Sequence, residues 1–182
     1  MPGCSSLPAL SRGGAHQPVG TTACELAATL ASRYDRRVPI QGEYESSPVK
    51  FVADQVALYE ATGGTEGGTL QDKPVVILTT QGRHSGKVRK SPLMRVEQNG
   101  TYAVIASLGG APKHPVWYFN LIASPAVTLQ DGANVYEMAA REVHGDEKAR
   151  WWALAVDAWP AYAEYQAKTD RQIPVVVLEP AR

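Results

Sequence analysis

The stretch TTQGRHSGKVRKSP, residues 79–92, holds the densest chemistry in the chain. Arg83, Lys87, Arg89 and Lys90 stand within it, Gly82 and Gly86 loosen its backbone, and Thr79, Thr80 and Ser85 add hydroxyls. No Asp or Glu occurs between residues 73 and 96, although the 18 Lys and Arg of the whole chain are matched by 18 Asp and Glu. The positive charge is therefore local. Glycines let backbone N–H groups approach an anion, and guanidiniums grip phosphate or carboxylate through paired hydrogen bonds. A solvated basic hairpin and a phosphate or polycarboxylate site are both compatible with this spacing.

Other chemistry is sparse. Cys4 and Cys24 match no metal-binding spacing. The four histidines are scattered, without an HExxH-type pair. His84 could touch an anion and His114 could open a helix, although a surface loop is the ordinary place for both. There is no GxGxxG after a strand, no P-loop and no GxSxG elbow. A metal enzyme is not expected.

The elements that must hold the basic stretch follow from apolar patterning. Pro74-Val75-Val76-Ile77-Leu78 reads as a buried strand leading into it, and residues 91–96 as a second strand leaving it. Asn99-Gly100 is a hairpin signal, and residues 101–107 return as a third strand. Upstream, Ser47-Pro48 predicts a capped helix start, Val52, Val56 and Tyr59 recur at helical spacing, and Gly63-Gly64 stop the helix. Downstream of a flexible loop over residues 108–113, Pro115 opens a helix that runs to Ala123 and is closed by Ser124-Pro125. Trp117 and Leu121 share one face of it, with Asn120 on a flank. Residues 126–130 and 134–143 read as strands around Asp131-Gly132.

Asp146 is the expected cap of a helix carrying Trp151, Trp152 and Trp159, which Pro160 breaks. A short helix over residues 161–168 puts Tyr162 and Tyr165 on one face. Residues 173–178 form a last apolar strand. Adjacent hairpins with inserted helices predict an antiparallel α+β barrel, not βαβ repeats. The length fits one domain with a real core. Residues 1–37, rich in Ala, Ser, Thr and Gly, are expected to be a disordered or wrongly assigned N-terminal extension of a domain over residues 38–182. No run approaches a membrane span.

From about Val38 to Pro180 the sequence resembles the deazaflavin (coenzyme F420)-dependent nitroreductases, also described as F420-dependent quinone reductases. The resemblance rests on Thr79-Thr80…Gly82-Arg83…Ser85-Gly86…Arg89, Pro92-Leu93, Ala106-Ser107 and Lys113…Pro115-Val116-Trp117-Tyr118-Phe119-Asn120-Leu121. It continues through Pro160…Tyr162…Tyr165…Thr169-Asp170-Arg171…Ile173-Pro174-Val175-Val176-Val177. It implies a split β-barrel related to FMN-binding barrels. It also implies a reduced-F420 hydride donor acting on quinones, nitroaromatics or activated alkenes.

Carried over residue by residue, the resemblance implies that Arg83, Ser85, Lys87 and Arg89 hold the cofactor's phosphate and oligoglutamate tail. Pro92, Leu93 and Met94 would follow the ribityl chain and ring, Ile105, Ala106 and Ser107 would sit by the ring, and Val116, Trp117 and Asn120 would complete the pocket. A lysine common after the first loop arginine is His84 here, and one expected after the strand-end serine is Leu108, which leaves Lys113 to meet tail charge. Tyr162 and Ser107 are the candidates for polarising or protonating the acceptor, and Trp159 and Tyr165 for walls of its pocket. Trp151 and Trp152 read as core. An FMN split-barrel enzyme and a non-catalytic deazaflavin carrier are the alternatives. A nucleic-acid groove is not expected, since aromatics do not interleave the basic residues. The expected location is cytoplasmic, with peripheral contact at the inner face of the membrane if the acceptor is a lipid quinone.

Overall fold

A computed structural model describes residues 40–181. The extension and both cysteines lie outside the described residues. In chain order the elements are α1 (Lys50–Thr62), β1 (Thr69–Leu70), β2 (Lys73–Gln81), β3 (Val88–Met94), β4 (Glu97–Gln98), β5 (Thr101–Ile105), α2 (Val116–Ala123), β6 (Ala126–Asp131), β7 (Asn134–Val143), α3 (Gly145–Ala158), α4 (Ala161–Ala167) and β8 (Val175–Pro180). A 3₁₀ turn, Leu108–Gly110, links β5 to α2.

The strands form one antiparallel sheet in the order β1-β2-β6-β7-β8-β5-β4, with β3 paired to β2. This is the antiparallel α+β barrel that the alternation of hairpins and helices predicts, in the split form that the family resemblance implies. Its central strands are apolar at consecutive positions because both faces are covered. Val75, Ile77, Ala103, Ile105, Val175 and Val177 point to one core with α1, α3 and α4. Val76, Leu78, Val104, Val176 and Leu178 point to a second core that includes Leu121 of α2. Period-two alternation is lost when neither face is wet. Pro92 is tolerated in β3 because that strand has a ladder only with β2.

The turns follow their glycines. Asn99 and Gly100 take positive φ between β4 and β5, and Gly132 does so between β6 and β7. The helix starts differ from expectation. Ser47 Oγ accepts from the Val49 N–H at 3.2 Å, satisfying a turn ahead of α1, which begins only at Lys50. Asp146 is not the cap of α3; His144 holds that place and Asp146 lies in the first turn, where a carboxylate still favours the helix dipole. Trp151 is buried in the first core, and Trp152 packs at its edge against Tyr162.

Candidate functional site

The β2–β3 hairpin is closed by its own backbone. The Gly82 N–H donates to Lys87 O, and the Gly86 N–H donates to Gly82 O, both at 2.8 Å. Thr79, Thr80 and Gln81 belong to β2, and Arg89 and Lys90 to β3, so the loop is shorter than the sequence suggests. Asn120 of α2 fastens the hairpin. Its Oδ1 accepts from the Arg83 N–H at 3.2 Å, and its Nδ2 donates to Thr80 Oγ1 at 3.4 Å. Asn120 is buried and so is its bond to Thr80, while its bond to the Arg83 N–H is only partly buried.

The acid-free segment does not stay free of acids in three dimensions. Glu43, Glu45 and Glu60 approach from upstream. Lys87 Nζ lies 3.3 Å from Glu43, Arg89 Nη2 2.7 Å from Glu45, and Lys90 Nζ 2.5 Å from Glu60. Arg83 instead lies over the Phe119 ring, 4.7 Å from its centroid. Neither Arg83 nor Lys113 is ion-paired among the described residues.

Two cavities meet at α2. The basic one, of about 620 Å³, is lined by Gly82, Arg83, His84, Ser85, Arg89, Lys113, His114, Val116, Phe119 and Asn120. The apolar one, of about 410 Å³, is lined by Ser91, Pro92, Leu93 and Met94 of β3, by Ile105, Ser107, Leu108 and Trp117, by Trp159, Tyr162 and Tyr165, and by residues of α1. Arg83, Ser85, Arg89, Lys113, Val116 and Asn120 thus meet in the first. Pro92, Leu93, Met94, Ile105, Ser107, Trp117, Trp159, Tyr162 and Tyr165 meet in the second. Lys87 and Ala106 line neither: Lys87 turns to Glu43, and Ala106 is fully buried, its N–H donating to Pro174 O.

The apolar cavity presents two hydroxyls. Tyr162 and Ser107 make no hydrogen bond through them among the described residues, yet neither oxygen is sealed away from solvent. Burial holds the Tyr162 phenol far above its ordinary value, with Tyr165 adding to the rise. The two tyrosine rings meet edge-on, centroids 6.1 Å apart. The Leu108–Gly110 turn packs on α4 at close range: a Cβ on Gly110 would fall 2.7 Å from Tyr165 O, so only glycine fits at this positive φ.

Arg171 is the site residue whose role the sequence did not disclose. Its Nε donates to Ala111 O at 2.8 Å, and its Nη2 donates to Ala106 O and Ser107 O at 3.1 and 2.7 Å. It fixes the strand end that carries Ser107. The TDR motif marked its position, but three carbonyl acceptors leave no trace in composition or spacing.

The donor set of the basic cavity suits a polyanion longer than one phosphate. The adjoining apolar cavity suits a planar ring and an acceptor. Among the described residues no group of three or more His, Cys, Asp or Glu could hold a metal ion.

Comparison with known proteins places the chain in a family. A family model described as F420H(2)-dependent quinone reductase matches residues 51–180. An F420H(2)-dependent quinone reductase of Mycobacterium tuberculosis is 34% identical over 126 residues, covering 67% of this chain and 85% of its own. A solved structure described as an F420-H2 dependent reductase is 57% identical, with a TM-score of 0.57, covering 61% of this chain and 98% of its own. Another, described as a domain-swapped dimer, is 53% identical with a TM-score of 0.59, covering 73% of this chain and all of its own (100%).

Proposed function

The chain belongs to the F420H(2)-dependent quinone reductase family, and from that premise we propose that it is an oxidoreductase using reduced F420 to reduce a quinone. The observation that carries this reading is the pair of cavities joined at α2: one cationic, with Arg83 and Lys113 unpaired among the described residues, the other apolar with two unpartnered hydroxyls. Reduced F420 supplies the hydride when bound. The residues of this chain do the rest. Arg83, Arg89, Lys113 and Ser85 would hold the anionic tail, with Asn120 keeping the hairpin in place. Pro92, Leu93, Met94, Ile105 and Trp117 would flank the ring and keep water from it. The Tyr162 hydroxyl would donate to the quinone oxygen as charge develops there, with Ser107 as a second donor. Hydride and one proton together convert the quinone to its hydroquinone.

Nitroaromatics and activated alkenes are acceptors of the same electronic kind and belong to this proposal. So does a lipid quinone met at the inner face of a membrane by a cytoplasmic enzyme. Phe51 and Leu108, 60% and 52% exposed at the rim of the apolar cavity, support that last reading. No helix among the described residues is long and apolar enough to cross a membrane. The proposed functional unit is residues 38–182.

Parallel calorimetric titrations with F420 and FMN, followed by turnover of reduced F420 with menadione, test the proposal. F420 binding at least tenfold tighter than FMN, with turnover, is expected, since FMN offers a single phosphate to several cations. Preference for FMN would favour the flavin alternative, and binding without turnover would make the protein a carrier.

A further inference from the structure

Arg171 has one contact beyond the three carbonyls it clamps. Its Nη1 lies 3.1 Å from His114 Nδ1. A guanidinium only donates, so Nδ1 must accept and carries no proton. The ring is then neutral and holds its single proton on Nε2. The ring is also fixed in place, 4.8 Å from Tyr118 and 5.8 Å, edge-on, from Phe119, centroid to centroid. His114 lines the basic cavity with Arg83, His84 and Lys113. Its Nε2–H has no protein partner among the described residues. Burial, and then the Arg171 charge, hold its pKa below the usual histidine value; Glu142, engaged by the Tyr118 hydroxyl, opposes them more weakly.

We propose that His114 is a cofactor-binding residue that donates a neutral hydrogen bond through Nε2–H to an anionic oxygen of F420, its tautomer fixed by Arg171. This assignment rests on the F420 reading for the identity of the ligand. The arrangement gives the cavity a directional neutral donor beside its cations. Such a donor carries no charge to be desolvated, so it selects position rather than charge. Arg171 acts here as a positioning residue, because the same guanidinium aims His114 into the basic cavity and holds Ser107 in the apolar one.

Long-range proton–nitrogen correlation NMR on isotope-labelled protein at neutral pH reads the tautomer directly. We expect a neutral His114 protonated on Nε2, whose Nε2 signal shifts on addition of F420. Calorimetric titration supplies the second readout. His114→Phe should weaken F420 binding by about tenfold or more, as expected for a lost hydrogen bond to a charged group. His114→Gln, whose amide N–H falls near the Nε2 position, should stay within about threefold of the native protein, well inside the loss of that bond. A free-protein His114 that is doubly protonated, or protonated on Nδ1, overturns the inference, as does native affinity in His114→Phe. If the native protein itself does not bind F420, the functional reading falls and takes this assignment with it; native binding with an indifferent His114 overturns the assignment alone.

Discussion

Burial keeps the Tyr162 phenol protonated well beyond neutral pH, so this hydroxyl can donate throughout the range in which the protein would be assayed. Tyr162→Phe keeps the ring and removes only the donor. It should leave F420 affinity within about twofold and cut the rate of quinone reduction at least about tenfold, the lower end of general acid assistance. The rate in the native protein should show no loss between about pH 7 and 9 from this group, since an ordinary phenol titrates near 10 and this one higher. An unchanged rate in Tyr162→Phe would transfer the role to Ser107. The cations separate in the same way. Arg83→Ala should weaken F420 binding by about 1.5–3 kcal/mol, the worth of a hydrogen bond to a charged group. Lys87→Ala, which removes a side chain turned toward Glu43, should leave affinity nearly unchanged; equal losses in calorimetric titration would contradict the geometry. The sequence revealed which residues were charged but not which charges were already met. Glu45 and Glu60 stand 44 and 30 residues from Arg89 and Lys90, and only folding brings them together.

At the scale of elements, α2 and the β2–β3 hairpin form one unit through Asn120. Asn120→Ala removes a part-buried acceptor for the Arg83 N–H and a buried donor to Thr80, and should cost about 1–3 kcal/mol of stability. Because the freed backbone is that of Arg83, F420 affinity should fall as well; denaturant unfolding and calorimetric titration measure the two losses. Asn120→Asp retains the acceptor but loses the donor and puts a negative charge into the cavity proposed for the anionic tail, so it should bind F420 no better than Asn120→Ala. Affinity unaffected by either change would mean that the hairpin holds its shape alone. Turn chemistry made much of this scale legible beforehand, because Asn99-Gly100 and Gly63-Gly64 act through local backbone preferences. The helix starts were less legible. Ser47 and Asp146 both have capping side chains, but Ser47 bonds within a preceding turn, and α3 begins at Gly145, which takes a positive φ, two residues before an Asp146 cap would start it. The Arg171 clamp was invisible for a different reason: its acceptors are backbone carbonyls 60 to 65 residues away.

The two cores and the sheet between them are tied at the scale of the molecule by tyrosines whose hydroxyls bond across elements. Tyr59 Oη donates to Val75 O at 3.2 Å and accepts from the Gly132 N–H at 2.7 Å, joining α1 to β2 and to the β6–β7 turn. Tyr102 donates to Asp131, and Tyr118 to Glu142, each at 2.8 Å. The continuous apolar runs made the double-faced sheet readable in advance, but no periodicity announces which tyrosine will bridge which elements. Burial is the first cause that lifts Tyr59, Tyr102, Tyr118 and Tyr162 above the ordinary phenol, with Tyr118 pushed up to about 12. A group whose folded pKa exceeds its unfolded value contributes stability that is complete below the unfolded value, near 10, and is lost as pH rises toward the folded one. Urea midpoints should therefore hold steady up to about pH 9 and fall between about pH 10 and 12, as the unfolded tyrosines release protons that the folded ones keep. Tyr162→Phe provides the internal control, because it deletes one titrating group without breaking a hydrogen bond among the described residues. Its alkaline slope should be shallower than that of the native protein by up to about 1.4 kcal/mol per pH unit, one proton's worth. Parallel slopes would mean that Tyr162 titrates alike in the folded and unfolded chains, and that water reaches its hydroxyl more freely than its burial implies.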